Sequence, residues 1–247
     1  MSQQQRAVLI TGAGGGLGRA LSLTFARAGY SVAVNYGHSL EDANQTAEAV
    51  RSSGAHAHVV QADVADDSAV RAMVDQVITT FGGLDVLVNN AGMTQYVRVS
   101  DLDSVTDEHW DRLLGVNLKG PFYCARAVAP HLRERRGSIV NVASVSAFSP
   151  IGSSIPYMAS KAGLVMLTRC LAQGLGPDIR TNAVAPGWLD TPWWDKYATP
   201  EVRAVLEGPG FPPAADLDDI SRAVLMLAET PSINGQTLVI DRGQLMR

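Results

Sequence analysis

The sequence predicts an α/β fold: one doubly wound domain on a parallel sheet of about seven strands. Short apolar runs alternate with helical patterns along the 247 residues. Several runs are continuously apolar and rich in Val and Ile, which is typical of strands buried on both faces. Strands that alternate with helices pair in parallel through right-handed crossovers, so we expect helices on both faces of the sheet.

The elements follow from these patterns in chain order. The predicted strands cover residues 7–10, 31–36, 56–61, 84–89, 137–142, 179–185 and 236–240. The predicted helices lie near residues 17–29, 40–53, 67–81, 106–135, 157–174 and 216–228. Ser39, followed by Asp42, predicts the N-cap of the second helix. Pro156 suits the first turn of the helix that follows the fifth strand, because its missing N–H costs little there.

One long stretch, residues 188–213, breaks the alternation and is rich in Pro and Trp. Long insertions in compact domains are usually functional or disordered, and the aromatic residues argue against disorder. We therefore expect a lid that closes over a substrate and excludes water. No linker, repeat or low-complexity tract marks a second domain, so residues 1–247 are expected to form one domain.

Composition excludes several classes of function. A net charge of −4 without strong asymmetry gives no electrostatic footprint for nucleic acid. The apolar run at the N-terminus is too short for a signal peptide or a membrane span. Cys124 and Cys170 lack the spacing of a disulfide framework or a metal site, and we expect both to be buried. The sequence thus predicts a reduced, cytoplasmic protein with no metal.

A glycine-rich turn follows the first strand in "TGAGGGLG", where Gly12, Gly16 and Gly18 precede the first helix. Glycines let a backbone turn tightly and approach a pyrophosphate, while the helix N-terminus offers N–H groups. Such a turn is a weak signal alone and a stronger one between the first strand and helix of a doubly wound sheet. The Lys-Ser/Thr of a P-loop is missing, which disfavours a nucleoside triphosphatase.

The end of the second strand bears on the choice of dinucleotide. An acidic residue there would accept hydrogen bonds from a ribose 2′-hydroxyl and repel a 2′-phosphate. Asn35 and Tyr36 stand in its place, which favours NADP(H) over NAD(H). Gly15 nevertheless replaces the basic residue that many NADP-binding glycine loops carry, and only His38 and Ser39 are candidate phosphate contacts.

Six motifs in register resemble a classical short-chain dehydrogenase/reductase, of the 3-oxoacyl reductase type. They are "TGAGGGLG" (11–18), "NNAG" (89–92), Asn117 in "GVNLKG", Ser144 in "NVASVSA", "YMASK" (157–161) and "APGWLDT" (185–191). The resemblance covers nearly the whole chain. It implies a Rossmann-type fold and hydride transfer between a nicotinamide cofactor and a carbonyl or secondary alcohol.

The resemblance also implies residue roles. Asn117, Ser144, Tyr157 and Lys161 would form the catalytic set, with Asn117 completing a proton relay through water. Asp63 and Val64 would flank the adenine, and Asn90 would line its ribose. The further expected cofactor contacts are Gly12, Gly15, Gly16, Leu17, Gly18, Tyr36, Tyr157, Lys161, Pro186, Gly187, Leu189 and Thr191.

The spacing of Tyr157 and Lys161 adds a chemical argument. Four positions apart on a helix, they share one face. A phenol with a pKa of about 10 is a poor base at neutral pH, and a nearby ammonium favours its phenolate. Ser144, at the end of the fifth strand, can donate to the carbonyl oxygen that becomes an alkoxide. Tyr157 would then be the general acid in reduction and the general base in oxidation.

The predicted substrate pocket is apolar and aromatic. It is expected to include Ser154, Trp188, Trp193 and Trp194, with Ser153 and Ile155 nearby. The alternative for the lid aromatics is packing on a neighbouring subunit, since the family is typically tetrameric and a homotetramer or homodimer is implied. Two other functions stay open: an NAD-linked sugar or sterol alcohol dehydrogenase, and a non-enzymatic nucleotide-sensing regulator, which would need no proton relay.

Overall fold

The computed structural model describes residues 5–192, 200, 203–204, 208 and 211–246. Its sheet has seven strands, which are β1 Ala7–Ile10, β2 Ser31–Tyr36, β3 Ala57–Gln61, β4 Val86–Asn89, β5 Ser138–Val142, β6 Arg180–Pro186 and β7 Thr237–Ile240. All are parallel, in the order β3-β2-β1-β4-β5-β6-β7. The predicted doubly wound Rossmann-type fold is confirmed, and each predicted strand is found within two residues of its expected start.

The helices lie between the strands. They are α1 Gly16–Arg27, α2 Leu40–Ser52, α3 Asp67–Phe81, α4 Asp107–Leu114, α5 Gly120–Arg135, α6 Ile155–Leu175 and α7 Leu217–Glu229. Ser39 caps α2 as predicted, because its side chain accepts a hydrogen bond from the Asp42 N–H at 3.3 Å. Pro156 lies in the first turn of α6, also as predicted.

The prediction of a single helix over residues 106–135 is wrong in one respect, because this stretch forms three consecutive helical segments. A π-helical turn, Gly115–Lys119, separates α4 from α5 and carries Asn117. Glycines at both junctions weaken the α-helical preference. The Asn117 side chain also forms tertiary hydrogen bonds with the Met93 backbone. A single π turn of this kind is frequent at functional sites.

The core has two layers, one on each face of the sheet, and β1 shows how they are built. Val8 and Ile10 pack with α1, α2 and α7 on one face, whereas Ala7 and Leu9 pack with α3 and α5 on the other. These four residues are completely buried. Burial on both faces explains why the strands are continuously apolar. Because all strands are parallel, their carboxyl ends meet at one edge, and the loops there hold the site.

The two cysteines differ from the prediction in one case. Cys124 is buried in α5, but Cys170 is exposed on α6, so the expectation that both are buried is wrong for Cys170. Over the described part of the chain, no group of three or more His, Cys, Asp or Glu residues could hold a metal ion. No helix of that part combines the length and apolar character needed to cross a membrane.

Candidate active site

A cavity of about 1070 Å³ lies along the carboxyl edge of the sheet. Its walls come from the loops that follow β1 to β6 and from the C-terminal segment. In open α/β sheets, ligands bind outside the carboxyl ends of the strands where the strand order reverses. Here the order reverses between β1 and β4, and the glycine-rich loop after β1 lies at that point. The fold therefore places the cavity where this type of sheet binds ligands.

The glycine loop lies too close to its neighbours to accept side chains at two positions. A Cβ on Gly18 would come within 2.3 Å of the Gly12 carbonyl oxygen, and one on Gly12 within 2.9 Å of the Ala91 Cα. Gly12 and Gly16 also have φ angles of 61° and 51°, in the left-handed region. The sequence therefore needs glycine at these positions for backbone reasons.

The N-terminus of α1 opens on this loop without a capping side chain. Its N-cap is Gly15, which makes no side-chain hydrogen bond, and the first turn carries no acidic residue. The unpaired N–H groups and the positive end of the helix dipole are suited to an anion such as a pyrophosphate. The close backbone approach and the bare helix end together fit a dinucleotide.

The "NNAG" turn after β4 clamps the glycine loop. The Asn90 side-chain amide donates to the carbonyl oxygens of Thr11 and Gly12 at 2.9 and 3.0 Å. The backbone N–H groups of Asn90 and Ala91 both donate to the Thr11 hydroxyl at 3.0 Å. The motif thus has a structural role, and Asn90 also lines the cavity where the cofactor contact was predicted.

Tyr157 and Ser144 share one wall of the cavity. Burial raises the pKa of the Tyr157 phenol, and a hydrogen bond with the Ser144 side chain offsets part of that rise. The Ser144 oxygen also accepts the Ser146 N–H at 3.2 Å, which fixes the serine at the start of a short 3₁₀ turn. The lowered phenol pKa expected from the sequence is therefore wrong for the protein alone, since burial has the larger effect.

Lys161 lies one helical turn further along α6. Its Nζ donates to the Val142 carbonyl oxygen at 2.9 Å and lies 5.8 Å from the centroid of the Tyr157 ring. Burial lowers the pKa of the Lys161 ammonium to about 8. The side chain is only 5% exposed, and no carboxylate among the described residues pairs with it. Lys161 therefore carries a buried positive charge beside the cavity. Such a charge is unfavourable unless a bound ligand pairs with it.

Asn117 is completely buried and does not line the cavity, but it supports the residues that do. Its side chain accepts the Met93 N–H at 2.9 Å and donates to the Met93 oxygen and to the Ser160 hydroxyl, both at 3.0 Å. Ser160 in turn donates to the Tyr157 carbonyl oxygen at 2.7 Å. Since its side-chain amide is committed to these partners, the structure makes Asn117 a support, and its part in a proton relay stays a prediction.

The loop after β6 is held by the C-terminal segment. The Gln244 side-chain oxygen accepts the Trp188 N–H at 3.1 Å, and the Gly187 N–H donates to the Ile240 oxygen at 3.0 Å. A Cβ on Gly187 would lie 2.9 Å from the Asp241 Cα, a backbone atom, so glycine is required there. Gln244 lines the cavity although no motif or periodicity in the sequence identifies it as a site residue.

Most of the predicted site residues meet at this cavity. Those that line it are Gly12, Gly15, Gly16, Leu17, Gly18, Asp63, Val64, Asn90, Ser144, Tyr157, Lys161, Pro186, Gly187, Trp188, Leu189 and Thr191. Tyr36 does not line it, because its ring packs against the core beside β2. Ser154 is buried behind the wall, and its neighbour Ser153 takes the lining position. Trp193 and Trp194 lie outside the described residues.

Other lining residues were missed by the sequence reasoning. They include Met93, Tyr96, Arg98, Arg112, Asp42 and Gln244. Most belong to the irregular stretch after "NNAG" or to helix ends, where no periodicity identifies the side chains that face a cavity. The sequence identifies Asp42 only as a residue of the α2 N-terminus, but Asp42 lies against Gly14 of the glycine loop.

Comparisons with known proteins agree with this geometry. A family model described as "short chain dehydrogenase" matches residues 6–201. A 3-oxoacyl-acyl-carrier-protein reductase of Staphylococcus aureus is 37% identical over 245 residues, which cover 98% of both chains.

Two solved structures are similar over almost their whole length. A gluconate 5-dehydrogenase from Burkholderia cenocepacia in complex with NADP and tartrate has a TM-score of 0.88 and 32% identity, covering 99% of this chain and 97% of that one. A carveol dehydrogenase from Mycobacterium avium in complex with NAD also has a TM-score of 0.88, with 29% identity and 98% coverage of both chains.

Proposed function

This chain belongs to the short chain dehydrogenase family, and on that premise we propose that it reduces a 3-oxoacyl substrate with NADPH, using Tyr157 as the proton donor. The family makes it an NAD(P)-dependent oxidoreductase that acts on CH–OH and C=O groups. The proposal goes further in naming the substrate type, the cofactor and the acid. The 3-oxoacyl assignment is supported by the name of the Staphylococcus aureus relative.

One observation carries the proposed chemistry: Ser144, Tyr157 and Lys161 share a cavity with a glycine loop and a bare helix N-terminus. A bound nicotinamide cofactor supplies the hydride. Tyr157 gives its phenolic proton to the carbonyl oxygen, and Ser144 donates a hydrogen bond that stabilises negative charge on that oxygen. The Lys161 ammonium stabilises the resulting phenolate by Coulomb attraction and holds a ribose hydroxyl.

The preference for NADP(H) is supported by the end of β2. Asn35 stands there in place of an acid, and its Oδ1 accepts the Gly12 N–H at 3.2 Å. Gly37 and His38, the next lining residues, bring no negative charge. Asp42 does line the cavity and would repel a 2′-phosphate, so it sets a limit on the preference.

The choice of cofactor is tested by titrating the protein with NADPH and NADH while following cofactor fluorescence. We expect tighter binding of NADPH, and a further gain for NADPH alone in Asp42→Asn, because that change removes a like charge. Tighter binding of NADH by the wild-type protein would reverse the assignment.

The stretch 188–213 supports a lid only at its two ends. Trp188, Pro192 and Phe211 line the cavity, and most of the intervening residues lie outside the described part of the chain. We propose that this stretch closes over the substrate as a lid.

Self-association is supported by exposed apolar side chains on two helices, Phe122 on α5 and Met166 on α6, which are 40% and 55% exposed. Sedimentation of the purified protein tests for the expected homodimer or homotetramer.

The central experiment compares Tyr157→Phe with the wild-type protein on a 3-oxoacyl thioester. We expect NADPH binding to be retained and kcat to fall by roughly 10²- to 10⁴-fold, since only the proton donor is lost. Tyr123→Phe, on α5 and away from the cavity, is the matched control and should keep the wild-type rate.

Two outcomes would contradict the proposal. A Tyr157→Phe variant with near wild-type turnover would exclude Tyr157 as the acid. A wild-type protein that binds NADPH tightly but reduces no ketone, aldehyde or 3-oxoacyl thioester would favour a nucleotide-sensing role instead.

A further inference from the structure

Two arginines on the cavity wall have no assigned role. Arg98 follows the "NNAG" turn, and Arg112 lies on α4. Both are exposed. Neither guanidinium group forms an ion pair, a hydrogen bond or a ring contact within the described residues, although those of Arg126 and Arg135 pair with aspartates elsewhere. An unpaired guanidinium on a concave wall is available to a ligand.

The backbone places Arg98 on the catalytic side of the cavity. The preceding residue, Val97, donates its N–H to the Ser153 carbonyl oxygen at 2.8 Å. The Ser153 hydroxyl also forms a very short hydrogen bond with the Thr94 hydroxyl. Ser153 also lines the cavity, and in the sequence it lies between the lining residues Ser144 and Tyr157. The loop that carries Arg98 is thus fastened to the wall that holds the proposed proton donor.

Arg112 is placed by its helix. It lies on α4, four positions before Val116 of the π turn, and both residues line the cavity. Helix α4 packs against α6, which carries Tyr157 and Lys161. Arg112 is therefore also anchored to the elements of the reaction centre.

The charges along the cavity are segregated. Among the described lining residues the carboxylates are Asp42, beside the glycine loop, and Asp63, just after β3. Both lie where the adenosine half of a dinucleotide is expected. Arg98 and Arg112, with Lys161, make the other part of the wall positive. Clefts lined by one sign of charge concentrate ligands of the opposite sign.

We propose that Arg98 and Arg112 form a subsite for an anionic group of the substrate, a phosphate or a carboxylate, so that the enzyme selects acidic over neutral carbonyl compounds. Guanidinium groups bind both anions through paired hydrogen bonds. This inference rests on the proposed function, because it concerns the substrate that Tyr157 protonates. Either a phosphopantetheine carrier or a free oxo acid would supply such an anion.

The test uses two pairs of substrates that differ in charge. The first pair is 3-oxobutyryl-CoA and the 3-oxobutyryl thioester of N-acetylcysteamine, which lacks the phosphates. The second is acetoacetate and methyl acetoacetate. The pair in which the wild-type enzyme prefers the charged member identifies the source of the anion. In that pair, Arg98→Gln and Arg112→Gln should each raise KM for the charged member roughly tenfold or more, and leave the neutral member unchanged.

The matched control is Arg27→Gln. Arg27 is an exposed arginine at the other end of α1, far from the cavity edge, and its loss should change neither KM. Melting temperatures close to that of the wild-type protein would show that all variants fold. Equal KM changes for charged and neutral substrates, or no preference for charge in either pair, would overturn the subsite.

A binding measurement separates this inference from the proposed function. Calorimetric titration of CoA and of acetoacetate into protein saturated with NADP⁺ needs no turnover. Binding that weakens in Arg98→Gln and Arg112→Gln but not in Arg27→Gln supports the subsite even if no thioester is reduced. Failure of both anions to bind overturns it, whatever the activity.

Discussion

Lys161 and Tyr157 show how far sequence spacing determines chemistry. The four-residue interval correctly places both side chains on one face of α6 and at one cavity. The direction of the phenol pKa was not predictable, because burial depends on the packing of other elements. The Lys161 ammonium donates to the Val142 carbonyl oxygen, and burial raises the pKa of the Tyr157 phenol more than the Ser144 hydrogen bond lowers it.

The buried Lys161 charge should make the stability of the cofactor-free protein depend on pH. Its pKa is about 8 in the folded protein, against an ordinary value near 10.5. Between these values the unfolded chain binds more protons, so the free energy of unfolding rises with pH. From pH 8 to 9.5 this group should add about 2 kcal/mol, and Lys161→Met should lose that rise. Urea unfolding at several pH values measures it.

The comparison needs a difference between variants, because other groups titrate nearby. Burial raises the pKa of the Cys124 thiol to about 12, so Cys124 lowers stability as pH rises above its ordinary value. Subtracting the Lys161→Met profile from the wild-type profile cancels that effect. Lys119→Met, at an exposed lysine, should reproduce the wild-type slope, and a wild-type slope equal to that of Lys161→Met would mean that Lys161 is not buried as a cation.

At the scale of elements, the β1–loop–α1 unit was the easiest part to predict. Its glycines are required by close backbone contacts, and such contacts are local enough to leave a sequence signature. The long helix over 106–135 was harder, since its π turn coincides with bonds between Asn117 and a backbone segment 24 residues away. Helical periodicity carries no information on such a tertiary contact.

The glycine loop gives a sharp prediction from two neighbouring positions. Gly18→Ala should destabilise the protein by about 1–3 kcal/mol and abolish cofactor binding, because its Cβ would meet the Gly12 oxygen at 2.3 Å. Gly15→Ala should change stability by less than about 0.5 kcal/mol. No atom lies within 4 Å of its Cβ, and its φ of −155° suits any residue. Denaturant unfolding and NADPH titration measure both effects.

These two substitutions control for each other, since each adds one methyl group where the glycine loop meets α1. Equal losses in both variants would mean that the loop responds to side-chain bulk in general. An unimpaired Gly18→Ala protein would contradict the close contact between the loop and α1.

The C-terminal turn is an element that the sequence did not connect with the site. Gln244→Leu removes the acceptor of the Trp188 N–H and should loosen the loop after β6, weakening NADPH binding roughly tenfold, as expected for one hydrogen bond left unmade. Gln244→Glu keeps an acceptor oxygen and should retain most of the affinity. Fluorescence titration distinguishes them, and equal affinities in the leucine variant and the wild-type protein would remove Gln244 from the site.

At the scale of the whole molecule, the site exists only because a parallel sheet brings distant loops to one edge. Gly12 and Gln244 are separated by almost the entire chain, yet both line the same cavity. The parallel, doubly wound sheet could be predicted because strands buried on both faces are continuously apolar and alternate with helices. The side chains of the connecting loops, such as Arg98, could not, because loops lack a repeating pattern that tells which residues face inward.

Since cavity and sheet form one folding unit, cofactor binding should stabilise the whole protein. NADPH at about 100 times its dissociation constant should add about 2.7 kcal/mol to the free energy of unfolding. For a domain of this size, that corresponds to a rise in melting temperature of roughly 5–10 °C. NADH at the same concentration should give a smaller rise, and Gly18→Ala should give none. Differential scanning calorimetry measures these shifts. A larger shift with NADH would reverse the cofactor preference, whereas no shift with either dinucleotide would mean that the protein binds neither and would contradict the proposed cofactor.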